Sequence, residues 1–153
     1  MKFKIRKFRK EDAKEVSQIV KNCFLKLDIG GHTKSGIQLQ IELNRPGSLV
    51  KRSENITYYV ALDDGKIIGV CGYDNYKVHT LFVDIAYQKK GVGKELLSKV
   101  LHEAEKDGLE KIVAWSTFYA RKFYESFGFT KIKNIYLPEG KKDMVLIEME
   151  KSF

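Results

Sequence analysis

Apolar positions along this chain follow two periods, and the switches between them mark out its elements. Phe3, Ile5 and Phe8 alternate with basic residues, which predicts a half-buried strand over Lys2 to Phe8 with a charged, edge-facing side. After Asp12 the period lengthens. Ala13, Val16, Ile19, Val20, Cys23, Phe24 and Leu27 fall on one helical face, and the helix ends before Gly30-Gly31. Ile37, Leu39, Ile41 and Leu43 stand at every second position, a spacing open to a strand or a weak helix. We read it as a short second helix stopped by Asn44-Arg45-Pro46-Gly47. Ile56 to Leu62 and Lys66 to Tyr73 form a hairpin about Asp63-Asp64-Gly65, and Asp74-Asn75 turns the chain into a third consecutive strand, Lys77 to Asp84.

The helical period returns from Gly91 to Asp107. Val92, Leu96, Leu97, Val100, Leu101 and Ala104 make one apolar stripe, with Gly108 as its stop. Ile112 to Trp115 reads as a strand buried on both faces, and Ala120, Phe123, Tyr124 and Phe127 as one face of a helix that Gly128 ends. Phe129 to Ile135 and Met144 to Met149 supply two last strands. The order β-α-α-β-β-β-α-β-α-β-β predicts an α/β fold of the α+β kind, a mixed sheet covered by helices, with residues 1–153 as one domain.

Composition narrows the function classes. The chain has 153 residues, 43% hydrophobic and 31% charged, which is a globular balance. No apolar run reaches the roughly 18–20 residues that span a bilayer, and Met1 to Lys7 lacks the apolar centre of a signal peptide. Cys23 and Cys71 each sit inside an apolar pattern, which points to buried thiols in a reducing compartment, so the cytoplasm is the expected location. His32, His79 and His102 have no ligand spacing, and no metal is expected. The net charge of +8 favours an anionic partner. Its lysines are scattered and no helix-turn-helix, RNA-recognition or zinc motif is present, so neither nucleic acid nor a membrane is expected as that partner.

One junction concentrates the charge. Leu81, Phe82 and Val83 end the fourth strand, and Gln88-Lys89-Lys90-Gly91-Val92-Gly93-Lys94 opens the long helix. The first amides of a helix lack intrahelical partners, and the helix dipole makes that end positive. Gly91 and Gly93 remove side chains that would keep an anion from those amides. Lys89, Lys90 and Lys94 crowd the same end, where each cation costs roughly 0.3–1 kcal/mol unless a polyanion reverses the sign. The residues around Gly91 match neither a P-loop nor a dinucleotide fingerprint.

At these residues the chain resembles the GNAT superfamily of acetyl-CoA-dependent N-acetyltransferases. Gln88-Lys89-Lys90-Gly91-Val92-Gly93 matches that family's Gln/Arg-x-x-Gly-x-Gly/Ala motif, after a Leu81-Phe82-Val83 strand ending. Thr117, Ala120, Phe123, Tyr124, Gly128 and Phe129 match a second motif, with Thr117 in place of the commoner Asn or Ser and Ile85 where a proline is common. The resemblance covers nearly the whole chain. It implies a sheet splayed between the fourth and fifth strands, acetyl-CoA held by Leu81, Phe82, Val83, Gln88 to Lys94, Thr117, Ala120 and Phe123, and direct attack of an amine on the thioester. A backbone N–H at Phe82-Val83 polarises the carbonyl in this scheme.

Tyr124 is the candidate acid for the departing thiolate, because a phenol stays protonated at neutral pH. His79 is the candidate base, with a water chain as its alternative. Strand alternation places His79, Leu81 and Val83 on one face. The resemblance implies an acceptor site between Asp28 and Asn44 on one side and Tyr136 to Glu139 on the other, where Asp28, Glu42 and Glu139 are candidate contacts for a cationic amine. A small-molecule amine is favoured over a protein N-terminus or lysine. A non-catalytic acyl-CoA-binding module is the competing class, and a homodimer is left open because relatives are often dimers.

Overall fold

A computed structural model of the chain describes residues 2–138 and 142–153. Two antiparallel sheets carry it. The first pairs β1 (Lys4–Lys7), β2 (Thr57–Asp63), β3 (Lys66–Tyr73) and β4 (Val78–Val83) in that order; the second runs β5 (Lys111–Ser116), β7 (Met144–Ser152), β6 (Thr130–Leu137). The sheets touch at one end only. Lys77 forms a single parallel bridge to Val113, whose N–H donates to the Tyr76 carbonyl at 3.0 Å. Beyond that point β4 and β5 part, as the resemblance implied, and the wedge between them is the setting for everything below.

Helices fill the two sides of the first sheet. α1 (Ala13–Lys26) lays Val16, Val20 and Phe24 against Val60 and Val70. On the other face, α4 (Val92–Lys106) seats Leu96, Leu97 and Val100 among Ile68, Ile112 and Ala114. The approach of α4 is close because Gly69 lies beneath it: a Cβ there would stand 2.9 Å from Leu96 and 3.1 Å from Val92. Arg6 anchors the start of α1 with two bonds to the Asp12 carboxylate, at 2.7 and 2.9 Å, so β1 and α1 are tied by a charged fork. α5 (Arg121–Ser126) completes the set near the second sheet.

Between the first two strands the chain forms three helices where two were expected. α2 (Lys34–Leu43) is capped by the Thr33 hydroxyl, which accepts from Gly36 N–H at 3.1 Å. The Asn44-Arg45-Pro46-Gly47 stretch does not end the helical region. Pro46 opens α3 (Pro46–Arg52), at a position whose missing N–H had no intrahelical partner to lose.

The second correction concerns β4. Val83 and Phe82 pair with Gly69 and Val70, but His79 and Val78 pair with Gly72 and Tyr73, leaving Thr80 and Leu81 opposite Cys71. Thr80 is the bulged residue, with φ +52°. The extra residue inverts the phase, so Val78, Leu81 and Val83 share the α4 core while Phe82 faces the α1 core. His79 therefore does not share a face with Leu81 and Val83.

Candidate active site in the parted sheet

The mouth of α4 is built by its own turn. Lys89 and Gly91 both hold positive φ, +59° and +87°, and this left-handed step aims the amides of Val92, Gly93 and Lys94 outward; the first intrahelical bond is from Glu95 to the Gly91 carbonyl, 3.0 Å. Gly91 is required by its φ. Gly93 is not required by packing, since a Cβ there would meet Val83 and Phe123 at an ordinary 3.5–3.7 Å. It lines a cleft of about 770 Å³. The missing methyl leaves cleft space at the amides, a fit for a bulky anion. Gln88, Lys89, Val92 and Lys94 line the same cleft, whereas the Lys90 ammonium lies 5.5 Å from the Tyr87 ring, off the cleft wall.

The edge of β4 supplies the next group. Asp84 N–H donates to Ile68 on β3 at 2.8 Å, so strand alternation turns the Val83 amide to the opposite edge, which β5 does not reach. The Val83 carbonyl accepts from Gln88 Nε2 at 3.2 Å and from the Cys23 thiol at 3.3 Å. Gln88 Oε1 in turn accepts from the Tyr119 hydroxyl at 2.8 Å. Gln88 is thus held at both ends and spans from β4 to the loop after β5. Tyr119 was not among the residues singled out from sequence, and only its approach from the other sheet reveals it. Leu81, Phe82 and Val83 all line the cleft.

Opposite them stands the second motif. Thr117 folds back to accept the Ala120 N–H at 3.2 Å, and Ala120, Phe123 and Tyr124 line the cleft beside it. Tyr124 is 6% exposed and packs edge-on against Phe123 and Phe129. Burial pushes its phenol well above the ordinary range, with Cys71 adding in the same direction, so it stays protonated. Among the described residues its hydroxyl has no hydrogen-bond partner, and what remains for it to meet is the cleft.

His79 lines the other arm of the cleft. Its Nε2 lies 2.9 Å from Asp74 Oδ2, and a carboxylate only accepts, so the neutral ring carries its proton on Nε2 and leaves the Nδ1 lone pair free. Burial holds its pKa below the usual histidine value, although Asp74 pulls it back up. Around His79 the wall includes Gln40, Asn44, Arg52, Lys77, Trp115 and Met144. Gln40 and Asn44 fall within the Asp28 to Asn44 stretch expected to face the acceptor, whereas Arg52, Lys77, Trp115 and Met144 were not picked out by sequence reasoning. Asp28 and Glu42 are exposed and do not line the cleft, and Glu42 lies 3.7 Å from Arg45 instead; Glu139 lies outside the described residues.

A sheet opened along one seam, with the mouth of a helix and a buried phenol lining the same cleft, is the arrangement of acyl-CoA-dependent acyltransferase folds. The chain belongs to the GNAT acetyltransferase family, whose domain matches residues 40–153. A ribosomal protein bS18-alanine N-acetyltransferase of Haemophilus ducreyi is 32% identical over 81 residues, which is 48% of this chain and 56% of that protein. The chain spans little more than half the length of the curated relatives it matches. Among solved structures, a GCN5-related N-acetyltransferase from Rhodopseudomonas palustris superposes with TM-score 0.91 at 15% identity over 100% of this chain and 97% of the other. The PaiA N-acetyltransferase of Thermoplasma acidophilum, solved with coenzyme A, gives 0.82 at 22% identity over 100% of both chains. At these identities the structural likeness is one of fold.

Proposed function

We propose that this protein transfers the acetyl group of acetyl-CoA to a primary amine, with a small-molecule amine as the acceptor. The observation that carries the reading is that one cleft joins the open amide mouth at Gly93 to the hydroxyl of Tyr124, which has no partner among the described residues. Acetyl-CoA supplies a thioester whose carbon an amine can attack and whose sulfur leaves as a thiolate. The chain's residues meet the needs of that exchange. The Val92, Gly93 and Lys94 amides, with Lys89 and Lys94, suit a diphosphate. The Val83 N–H faces the open edge, where it can donate to a carbonyl oxygen that gains negative charge. His79 Nδ1 takes a proton from the acceptor ammonium, directly or through water, and Tyr124 gives its proton to the sulfur. One C–N bond forms as one C–S bond breaks.

Acetyl-CoA titration, followed by thiol release against an amine panel, tests this. Saturable binding with amine-dependent thiol release supports it. Binding with no release for any amine favours the acyl-CoA-binding module. The Haemophilus ducreyi relative acts on a protein alanine, and that likeness supports a peptide N-terminus as the second acceptor to include in the panel.

A further inference from the structure

The wall around His79 is cationic, and among the described residues that line it no side chain is a carboxylate. Lys77 is more than half buried, with its ammonium 3.6 Å from the centre of the Trp115 ring and no carboxylate within 4 Å among the described residues. Arg52 bonds to neutral oxygens only: the Tyr58 hydroxyl at 3.2 Å, Asn44 Oδ1 at 2.7 Å and the Leu43 carbonyl. The nearest carboxylates are engaged elsewhere. Asp74 accepts from His79 and from the Tyr76 and Lys77 amides, and Glu148, 8% exposed, accepts from Trp115 at 3.2 Å and from Tyr76 at 3.5 Å. Asp74 and Glu148 act on Lys77 only through space, so neither cation has a direct ion pair among the described residues, and holding both half-buried is costly unless an anion joins them.

A purely cationic acceptor, such as a polyamine, would add repulsion to this wall. We propose that the acceptor carries a carboxylate next to its amine, as a free α-amino acid with an apolar side chain does. Lys77 and Arg52 bind the carboxylate, and Leu43 and Met144 line the cleft beside them for the side chain. Lys77 precedes the bulge at Thr80, so Lys77 and His79 project from one face of the strand, roughly 6–7 Å apart along it. That spacing lets one residue hold the carboxylate while the other faces the adjacent amine. The inference rests on the proposed acetyl transfer and deepens it.

Thiol release is compared for leucine against 3-methylbutylamine and for phenylalanine against phenethylamine, with spermidine as the cationic control. The wild type is expected to prefer the amino acid by at least tenfold in kcat/KM in each pair. Lys77→Gln and Arg52→Gln should each raise the amino acid KM at least tenfold and cut the preference over the decarboxylated amine by a similar factor, with the acetyl-CoA KM held within twofold. Arg52→Lys keeps a cation where loss of the α3 contacts weakens the fold, and it should retain the preference. Equal or better turnover of the decarboxylated amines, or of spermidine or a peptide N-terminus alone, overturns this inference and leaves the acetyl transfer standing. Failure to bind acetyl-CoA overturns the transfer, and this inference with it.

Discussion

The Tyr119 hydroxyl donates to Gln88 Oε1 at 2.8 Å, joining the loop after β5 to the turn after β4 across the parted seam. Because the oxygen end of the amide is taken, its nitrogen end is turned to the Val83 carbonyl at 3.2 Å. Tyr119→Phe removes one hydrogen bond, worth about 0.5–1.5 kcal/mol. The acetyl-CoA KM should rise about two- to tenfold, with kcat changing less, as steady-state kinetics will show. An unchanged KM would mean that Gln88 needs no help from the opposite sheet.

Tyr124→Phe separates chemistry from packing. The hydroxyl has no protein partner among the described residues, so its loss strands no buried group, and denaturant midpoints should move little. Turnover should fall at least tenfold if the phenol protonates the sulfur, with coenzyme A affinity nearly unchanged. A variant as fast as the wild type removes Tyr124 from the mechanism.

The two glycines of the α4 mouth should fail differently. Gly91→Ala forces a Cβ into φ +87° and should destabilise the fold by about 1 kcal/mol. Gly93→Ala meets only ordinary contacts within the protein, so stability should hold while coenzyme A affinity drops at least tenfold. Thermal unfolding and a titration on both variants check the pair. Tight binding by Gly93→Ala would place the anion elsewhere.

The pH profile tests His79. Burial lowers its pKa and Asp74 partly restores it, so the acid limb of kcat/KM should lie below the ordinary histidine value near 6.5. Asp74→Asn removes the restoring charge while keeping an acceptor for the backbone amides. The limb should then move further down, not up. His79→Ala should abolish the limb; if it survives unaltered, water takes the proton without this ring.

Most elements were legible in the sequence because each is set by a local period. The α4 stripe, the β2–β3 hairpin and the Gly91 turn all depend on neighbours within a few residues. The two motifs likewise located Gln88, Gly93 and Tyr124, whose spacing along the chain reflects a strand, a turn or a helix. One local reading failed, and one helix was missed, each for an identifiable reason. Alternation assumes one residue per rung, and the bulge at Thr80 broke it, moving His79 off the face of Leu81 and Val83. The stop at Asn44 held for α2, but the same Pro46 opens a further helix, α3, and Arg52 went unseen with it.

Apart from α3, the order of strands and helices followed from the chain's own pattern, and the two motifs singled out the turn before α4 and the candidate phenol. What tertiary structure alone decided is who meets whom across the seam: Tyr119 with Gln88, and Arg52 and Lys77 around His79, with no carboxylate among the described residues of that wall. These partners come from separate elements, up to about 30 residues apart, and no local period encodes their distance. Packing brings them together when α1 and α4 close on opposite faces of one sheet and the second sheet joins it at a single bridge.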